Sequence, residues 1–177
     1  MRANLSLLIL VAFSMLCISC TKYKFRVSSE SMLPTLIHGD MVYVVPIKKS
    51  GGIERGNIVC FIHSEGTRDD LIFVMRVVGL PQENVMISDE YIILNGSNLM
   101  PKEIGAPSFE GVTDHPGRYG VEQPFRLGAN QYFVLGDNLA IANDSRMWGA
   151  LDESMLIGRV VSIKREGVRF GSDEDIK

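Results

Sequence analysis

The stretch SSESMLPTLIHGD, residues Ser28–Asp40, decides how this sequence is interpreted. It places serines on both sides of one glutamate and follows them directly with Met, Leu, Pro and Thr. A serine hydroxyl is a weak nucleophile unless a base lies beside it. The stretch also comes just after an apolar N-terminal segment. Two questions follow: what the serines do there, and which residue is their base.

The composition indicates a single globular domain. The chain has 177 residues, 46% of them hydrophobic, which is enough for one domain with a core. Its formal net charge of −3 and the lack of a basic block give no reason to expect a nucleic-acid partner. Cys60 lies in a predicted buried strand, no CxxC pair occurs in the folded part and the histidines are scattered. We therefore expect no disulfide framework, no metal site and no cofactor.

Residues 1–21 are predicted to be a membrane anchor or a lipoprotein-type signal. Residues 3–21 carry no charge, and a bilayer-spanning helix needs about 20 apolar residues. A cleaved signal peptide has a similar pattern. Ser19 before Cys20 resembles a lipidation site, although Cys17 stands where such signals usually carry Leu. Either anchor would hold the domain against the extracytoplasmic face of a membrane.

The charges that flank this segment bear on the choice between the two anchors. Three basic residues follow it directly: Lys22, Lys24 and Arg26. The positive-inside rule therefore does not support an external domain behind a spanning helix. A lipoprotein signal avoids this difficulty, because its translocation is not decided by flanking charges in the same way.

Residues 22–177 are predicted to form one mainly β domain with a compact antiparallel sheet. Apolar and β-branched runs alternate with Gly/Pro turn signals, and Asn95-Gly96 is a strong hairpin signal. From about residue 100 to 128 the chain is rich in Gly and Pro and is predicted to be an irregular excursion. The predicted strands lie in DMVYVVPI (40–47), NIVCFI (57–62), LIFVMRVVGL (71–80), NVMISDEYIILNGS (84–97), QYFVLGDN (131–138) and LIGRVVSIKR (156–165).

Three separated motifs resemble those of type I signal peptidases, the membrane-bound endopeptidases that remove signal peptides. The stretch 28–40 resembles their serine motif. VMRVVGLPQENV (74–85) resembles the second motif and LGDNLAIANDSRMWG (135–149) the third, in the same order. The YIILNGSNL hairpin (91–99) also agrees. The resemblance extends from the anchor to about Lys164 and implies a signal-peptidase-like β domain.

The resemblance also implies roles for individual residues. Ser31 falls on the nucleophile, and its N–H with the Ser29 hydroxyl would form the oxyanion hole. A neighbouring strand would bind an extended substrate with small side chains at P3 and P1. Trp148 is most simply a core aromatic residue. Asp144 and Arg146 would brace the site, most simply as a buried ion pair. The full set of supporting residues that the resemblance implies is Arg76, Asp137, Ala142, Asp144 and Arg146.

The sequence departs from the family at the base. The family's lysine directly precedes the arginine of the second motif, and here that position is Met75, whose thioether cannot accept a proton. A eukaryotic branch has histidine there, which methionine does not match either. Many members carry a serine at the position of Ala142, where it hydrogen-bonds the lysine. Methionine roughly matches lysine in length, so the two changes together replace a polar contact by an apolar one.

Other basic residues give no clear substitute for this lysine. His38 lies in the turn after the serine motif, His63 closes a predicted strand, and Lys48 and Lys49 follow another strand. None of them belongs to a motif that would place its side chain beside Ser31.

Three functions are therefore considered. The first is an active signal peptidase I-like serine endopeptidase that removes signal peptides after small residues at P3 and P1. The second is a catalytically impaired relative that binds peptides or regulates a partner at the membrane. The third is a membrane-tethered β domain with an unrelated role. The expected partners are exported preproteins or their signal peptides, membrane lipid, and an active paralogous peptidase.

Overall fold

Eleven strands are assigned in the residues that the computed structural model describes, which are 22–63, 71–87, 91–108 and 124–165; the side chains of Lys49 and Ser50 are not described. The predicted anchor, residues 1–21, lies outside these ranges. Within them, no helix is both long and apolar enough to cross a membrane. The strands are β1 (Tyr23–Arg26), β2 (Met41–Pro46), β3 (Ile58–His63), β4 (Leu71–Gly79), β5 (Asn84–Ile87), β6 (Ile92–Leu94), β7 (Ser97–Leu99), β8 (Phe125–Arg126), β9 (Gln131–Leu135), β10 (Leu151–Asp152) and β11 (Leu156–Lys164).

The strands form two antiparallel sheets, which confirms the predicted mainly β fold. The larger sheet has the order β1-β2-β11-β3-β4-β9-β10, and the smaller one has the order β7-β6-β5-β8. Helical structure in the described residues is confined to single turns. These are the helical turns Ile47–Ser50 and Ser145–Trp148 and the 3₁₀ turns Pro101–Ile104 and Glu153–Met155.

Side-chain alternation explains which face of the larger sheet is buried. On β2, Val42 and Val44 are fully buried, while Met41 and Tyr43 on the other face are partly exposed. Val42 and Val44 belong to a core cluster with Val27 of the serine loop. A strand with one buried face shows this period of two. The middle of the sheet differs, because β3 is buried on both faces from Ile58 to Phe61.

The smaller sheet packs against the ends of β4 and β9. The predicted Asn95-Gly96 hairpin joins β6 to β7, and both residues have the positive φ angles (50° and 85°) that a type I′ turn requires. Gly79 ends β4 where the two sheets meet. A Cβ atom there would lie 2.8 Å from side-chain atoms of Leu127 and Phe133, so only glycine permits this approach.

Three parts of the chain are more regular than the sequence predicted, and one of them is Leu151–Asp152, which forms β10 and pairs with β9. The excursion at residues 100–128 contains the Pro101–Ile104 turn and β8, which pairs with β5. Residues 109–123 lie outside the described part. Strand β1 was not predicted, although Tyr23 and Phe25 alternate there with Lys24 and Arg26. It pairs with β2 throughout its length.

Candidate functional site

Ser31 lines a groove of about 560 Å³ between the serine loop and β4. The groove exists because β9 pairs with β4 only from Arg76 to Gly79. Along Leu71–Met75, β4 therefore has a strand partner on one side only among the described residues. One wall is formed by Phe25, Arg26, Val27, Ser28, Ser29, Ser31 and Met32, and the other by Leu71, Ile72, Phe73, Val74 and Met75.

The turn that carries Ser31 is fastened to the GDN segment by two hydrogen bonds. The Asn138 N–H donates to the Ser31 carbonyl oxygen at 2.9 Å, and Asn138 Nδ2 donates to the Glu30 carbonyl at 3.1 Å. In the part of the chain that the structure describes, the Ser31 N–H and hydroxyl have no hydrogen-bond partner. Ser29 is exposed on the same wall of the groove. Both predicted oxyanion donors therefore line this groove.

A buried ion pair at Arg76 holds β4 beside the serine loop. Arg76 donates from Nε and Nη2 to both carboxylate oxygens of Asp137, at 2.8 and 2.7 Å. Asp137 also accepts a hydrogen bond from the Thr35 hydroxyl. The remaining guanidinium nitrogen of Arg76 donates to the carbonyls of Gly56 and Ile104, at 3.0 and 2.9 Å. Because every charged group here is paired, Arg76 tolerates burial.

Ala142 lies next to the peptide unit of Ser31. A Cβ atom added to Gly136 would lie 2.5 Å from the Ser31 carbonyl oxygen and closer still to the Ala142 Cβ. The Ala142 methyl group and the Ser31 carbonyl therefore both pack against Gly136, where a side chain would collide with each of them. The structure brings together Ser31 and the position at which many family members carry a serine, and this position presents only a methyl group.

Asp144 and Arg146 form a second buried pair behind Gly136, as predicted. Arg146 donates from Nε and Nη2 to the two carboxylate oxygens of Asp144, at 2.8 and 2.9 Å. The Gly136 N–H donates to the same carboxylate at 3.1 Å. Burial raises the pKa of Asp144, and the Arg146 guanidinium and the Gly136 N–H oppose that rise. This pair fixes the backbone on which Ser31 and Ala142 pack.

Met75 occupies an apolar environment at the groove. It is 1% exposed and follows Val74 on the β4 wall. Its apolar neighbours in the core are Val59, Phe61, Val77, Tyr132, Val134 and Leu151, with Ile53, Phe73, Leu80, Trp148 and Leu156 at the margin. A thioether in such a slot is stable, but it offers no lone pair basic enough to take a proton from serine.

None of the candidate substitute bases lines the groove where the structure describes their side chains, and the Arg26 guanidinium, which does line it, cannot be deprotonated to act as a base. His63 pairs with Leu71 at the far end of β4, four residues from Met75, which is about 13 Å along a strand. Its ring instead stacks on Trp148, with 4.4 Å between centroids. His38 and Lys48 are exposed in turns, and the Lys49 side chain is not described. Trp148 itself is half-buried at the edge of the core, which fits its predicted role.

A third ion pair, which the sequence did not predict, ties the end of the serine motif to the end of β11. Arg165 donates to both carboxylate oxygens of Asp40, at 2.9 and 2.8 Å, and to the Thr35 carbonyl at 3.3 Å. Burial would raise the pKa of Asp40, but the hydrogen bonds from Arg165 and the Ile37 N–H hold it below its ordinary value of 3.8. No local pattern relates residues 125 positions apart. The Arg76–Asp137 partnership was missed for the same reason.

Comparisons with known proteins agree with the motifs. The family model described as "Signal peptidase, peptidase S26" matches residues 1–164. The chain belongs to the signal peptidase family. Signal peptidase IB of Staphylococcus aureus (strain Mu50 / ATCC 700699) is 34% identical in sequence to this chain over 148 residues. The match covers 77% of this chain and 74% of the relative. Signal peptidase I of Leptolyngbya laminosa is 33% identical over 141 residues, covering 76% and 64%.

The crystal structure of a signal peptidase I from Enterococcus faecalis V583 is similar to the structure of this chain, with a TM-score of 0.43 and 24% sequence identity. The match covers 60% of this chain and 95% of the other.

Proposed function

We propose that this chain binds the signal peptides of exported preproteins in the groove beside Ser31, without the general base that rapid hydrolysis needs. One observation carries the proposal: Met75, at the position of the family's lysine, is buried in an apolar cluster. Family membership supplies the class of partner. The protein would then act as a peptide-binding or regulatory member of the export machinery, with an active paralogous peptidase as a candidate partner.

The unpaired edge of β4 supports binding of an extended peptide. Backbone groups along Leu71–Met75 have a strand partner on one side only in the described part of the chain. An extended peptide can add to such an edge by main-chain hydrogen bonds, while alternate side chains enter pockets. The walls of the groove include Val27, Met32 and Val74, which are apolar. Small side chains at P3 and P1 would fit between these residues.

The loss of the base decides how fast the bound peptide is cleaved. Attack by the Ser31 hydroxyl on a peptide carbonyl releases a proton, which a neighbouring group must accept as the bond forms. Removing one member of such a catalytic unit lowers kcat by roughly four to six orders of magnitude. The oxyanion donors that Ser29 and Ser31 would supply account for only the residual rate.

An active serine endopeptidase is the second candidate, and the retained Ser29 and Ser31 favour it. In this alternative, the protein removes signal peptides after small residues at P3 and P1 and uses a different base. Both serines line the groove, and no described residue accepts a hydrogen bond from the Ser31 N–H.

One experiment separates the two candidates. The purified full chain is incubated with a preprotein that carries small residues at P3 and P1, beside the Ser31→Ala variant. We expect both proteins to bind the preprotein and neither to cleave it measurably. Turnover that disappears in Ser31→Ala would establish the active peptidase and refute the binding-only function. A Met75→Lys, Ala142→Ser variant that gains Ser31-dependent cleavage would support an otherwise intact site.

Membrane attachment is part of the same proposal. The apolar residues 1–21 would hold the groove at the extracytoplasmic surface, through a single helix or a lipid on Cys20. We expect the full chain in the membrane fraction after a high-salt wash. Labelling with a radioactive fatty acid, compared between the wild type and Cys20→Ala, distinguishes the two anchors. Recovery of the protein in the salt wash would contradict both.

A further inference from the structure

One edge of the larger sheet carries a row of basic side chains. Strand β1 pairs only with β2 in the part of the chain that the structure describes, so its other side is the edge of the sheet. Lys24 and Arg26 alternate on β1 with Tyr23 and Phe25 and therefore share one face of the strand. Lys22 precedes them at the same spacing. All three cations are exposed.

The same face continues across β2 and β11 without a carboxylate. Lys24 is paired with Tyr43 of β2, and its ammonium group lies 5.5 Å from the centre of the Tyr43 ring. Arg26 is paired with Met41, which is paired in turn with Lys164 of β11. Directly paired residues project from the same face of an antiparallel sheet. Strands β1, β2 and β11 contain no Asp or Glu, so their side chains give this face a positive charge.

Asp40, the acidic residue that directly precedes β2, does not offset this charge. Its side chain is buried, and both of its carboxylate oxygens accept hydrogen bonds from Arg165. Neither Lys22 nor Lys24 has a carboxylate partner among the described residues. The two lysines are therefore the cations of this edge that can bind an anionic group.

The residues that follow β11 carry the opposite charge. Residues 173–175, which we call the acidic run, are Asp, Glu and Asp. The chain leaves β11 at Lys164, in the cross-strand row that contains Arg26. Neighbouring strands lie about 4.8 Å apart, so the outer side of β1 is about 15 Å from β11. Residues 166–172 can span about 23 Å, which is enough for the acidic run to reach β1.

We propose that the acidic run binds along the open edge of β1, with Asp173 against Lys24 and Asp175 against Lys22. This contact goes beyond the proposed function and does not depend on it. The two aspartates are two residues apart, as are the two lysines, so an extended segment presents both carboxylates to one face. Exposed ion pairs are individually weak. Attachment to β11 offsets this weakness, because it keeps the acidic run at a high local concentration beside the edge.

The contact would protect the sheet and stabilise the groove. An unpaired strand edge is a template for association with other chains, and a segment that covers it removes this hazard. Strand β1 also continues directly into the serine loop, and Phe25 and Arg26 line the groove. A segment bound along β1 would therefore restrict the motion of one groove wall.

Hydrogen exchange at β1 tests this contact on the full chain in neutral detergent micelles. Mass spectrometry measures exchange of residues 22–27 in the wild type and in the double variant Asp173→Asn, Asp175→Asn. Both proteins are compared at about 20 mM and about 500 mM NaCl, because salt screens exposed charges. The matched control is Asp89→Asn, Glu90→Gln, which removes the same charge from the connection between β5 and β6.

We expect β1 to exchange about threefold faster in the aspartate variant than in the wild type at low salt, and equally fast at high salt. The control variant should exchange like the wild type. Lys22→Gln, Lys24→Gln should match the aspartate variant, and combining the two pairs should add nothing, since both remove one contact. Equal exchange in the wild type and both variants at low salt overturns the inference. Urea unfolding checks that each variant is folded.

A carbodiimide, which joins an amine directly to a neighbouring carboxylate, identifies what occupies the edge. Cross-links from Lys22 or Lys24 to the acidic run within the monomer, without such cross-links from the exposed Lys102, support the inference. The same cross-links found only in a dimer would assign the edge to a second copy of the chain. Their loss in vesicles that contain phosphatidylglycerol would assign it to anionic lipid. Either of these two results overturns the intramolecular contact.

Discussion

Substitutions of Met75 test whether its position in the core is suited to methionine or could still hold a lysine. It is fully buried among apolar side chains. A lone Met75→Lys substitution would bury an ammonium group without a partner and lower the free energy of unfolding by about 3 kcal/mol at pH 7. Met75→Leu, a change of similar volume, should cost less than about 1.5 kcal/mol. Urea unfolding of both variants measures the difference.

The pH dependence of Met75→Lys provides an internal check. Burial would lower the pKa of the introduced lysine in the folded state, so the unfolded chain would bind more protons between the two pKa values. The stability of the variant should therefore rise as pH approaches about 10.4, where the unfolded lysine also loses its proton. Met75→Leu should show no such rise. Equal stability of the two variants at pH 7 would contradict an apolar slot.

Gly136 is the residue that lets Ser31 and Ala142 approach each other. Gly136→Ala would place a Cβ atom 2.5 Å from the Ser31 carbonyl oxygen, so the serine turn has to move. Gly96→Ala is the comparison, because Gly96 has a positive φ and open space around it. We expect Gly136→Ala to weaken peptide binding at least about tenfold, as a contact closer than van der Waals distance displaces the loop. Gly96→Ala should lose about 1 kcal/mol of stability and no affinity.

Peptide affinity and urea unfolding, measured on both glycine variants, decide this prediction. Unchanged peptide affinity in Gly136→Ala would mean that the position of the Ser31 turn does not control the groove.

At the scale of elements, the Asp40–Arg165 pair joins the end of the serine motif to β11. Because this pairing leaves the pKa of Asp40 below 3.8 in the folded state, its stabilisation is complete above about pH 3.8 and is lost as pH falls through the lower folded value. Thermal unfolding of the wild type and Asp40→Asn, between pH 2 and pH 6, tests this. The wild type should be more stable at pH 6, and the difference should shrink below pH 3.8. A difference independent of pH would exclude the ionised pair as its source.

The elements also show how far sequence reasoning extends. The longer strands from Met41 onward and the Asn95-Gly96 hairpin were predictable, because periodicity and turn chemistry are local properties, whereas the two-residue strands β8 and β10 were not predicted. The three motifs predicted the family, and Met75 and Ala142 stood out against it. The partners of Arg76 and Asp40 were not predictable, since ion pairs between distant segments depend on the sheet order. Strand β1 was missed because its own Lys24 and Arg26 were interpreted as charges that flank the anchor.

At the scale of the whole molecule, the two sheets have different roles: one covers part of the core, and the other forms the groove. The smaller sheet covers the end of β4 and β9 through a cluster that includes Val85, Phe133 and Leu135. The larger sheet supplies both walls of the groove, because its edge strand β1 continues into Ser28–Ser31 while β4 lies near its centre. The position of one wall relative to the other therefore depends on the folding of the whole larger sheet, and not on the loops alone.

The chemical reactivity of the Cys60 thiol can be used to measure whether the larger sheet stays folded. It lies on β3, paired with Gly158 of β11 and Val74 of β4, and is fully buried. Burial raises the pKa of its thiol to about 12, so a reactive thiolate is essentially absent at pH 8. We expect iodoacetamide to leave Cys60 unmodified in the native protein. Modification should appear only across the urea unfolding transition, because central strands open with the global unfolding of a domain.

Peptide mapping by mass spectrometry distinguishes Cys60 from Cys17 and Cys20, and an Asn98→Cys variant supplies an exposed thiol as the positive control. Asn98 lies on β7 at the edge of the smaller sheet, so its replacement should react within minutes in the native state. If Cys60 reacted at urea concentrations below the transition, β3 would open separately from the rest of the molecule. The two walls of the groove would then not be held by one cooperative sheet.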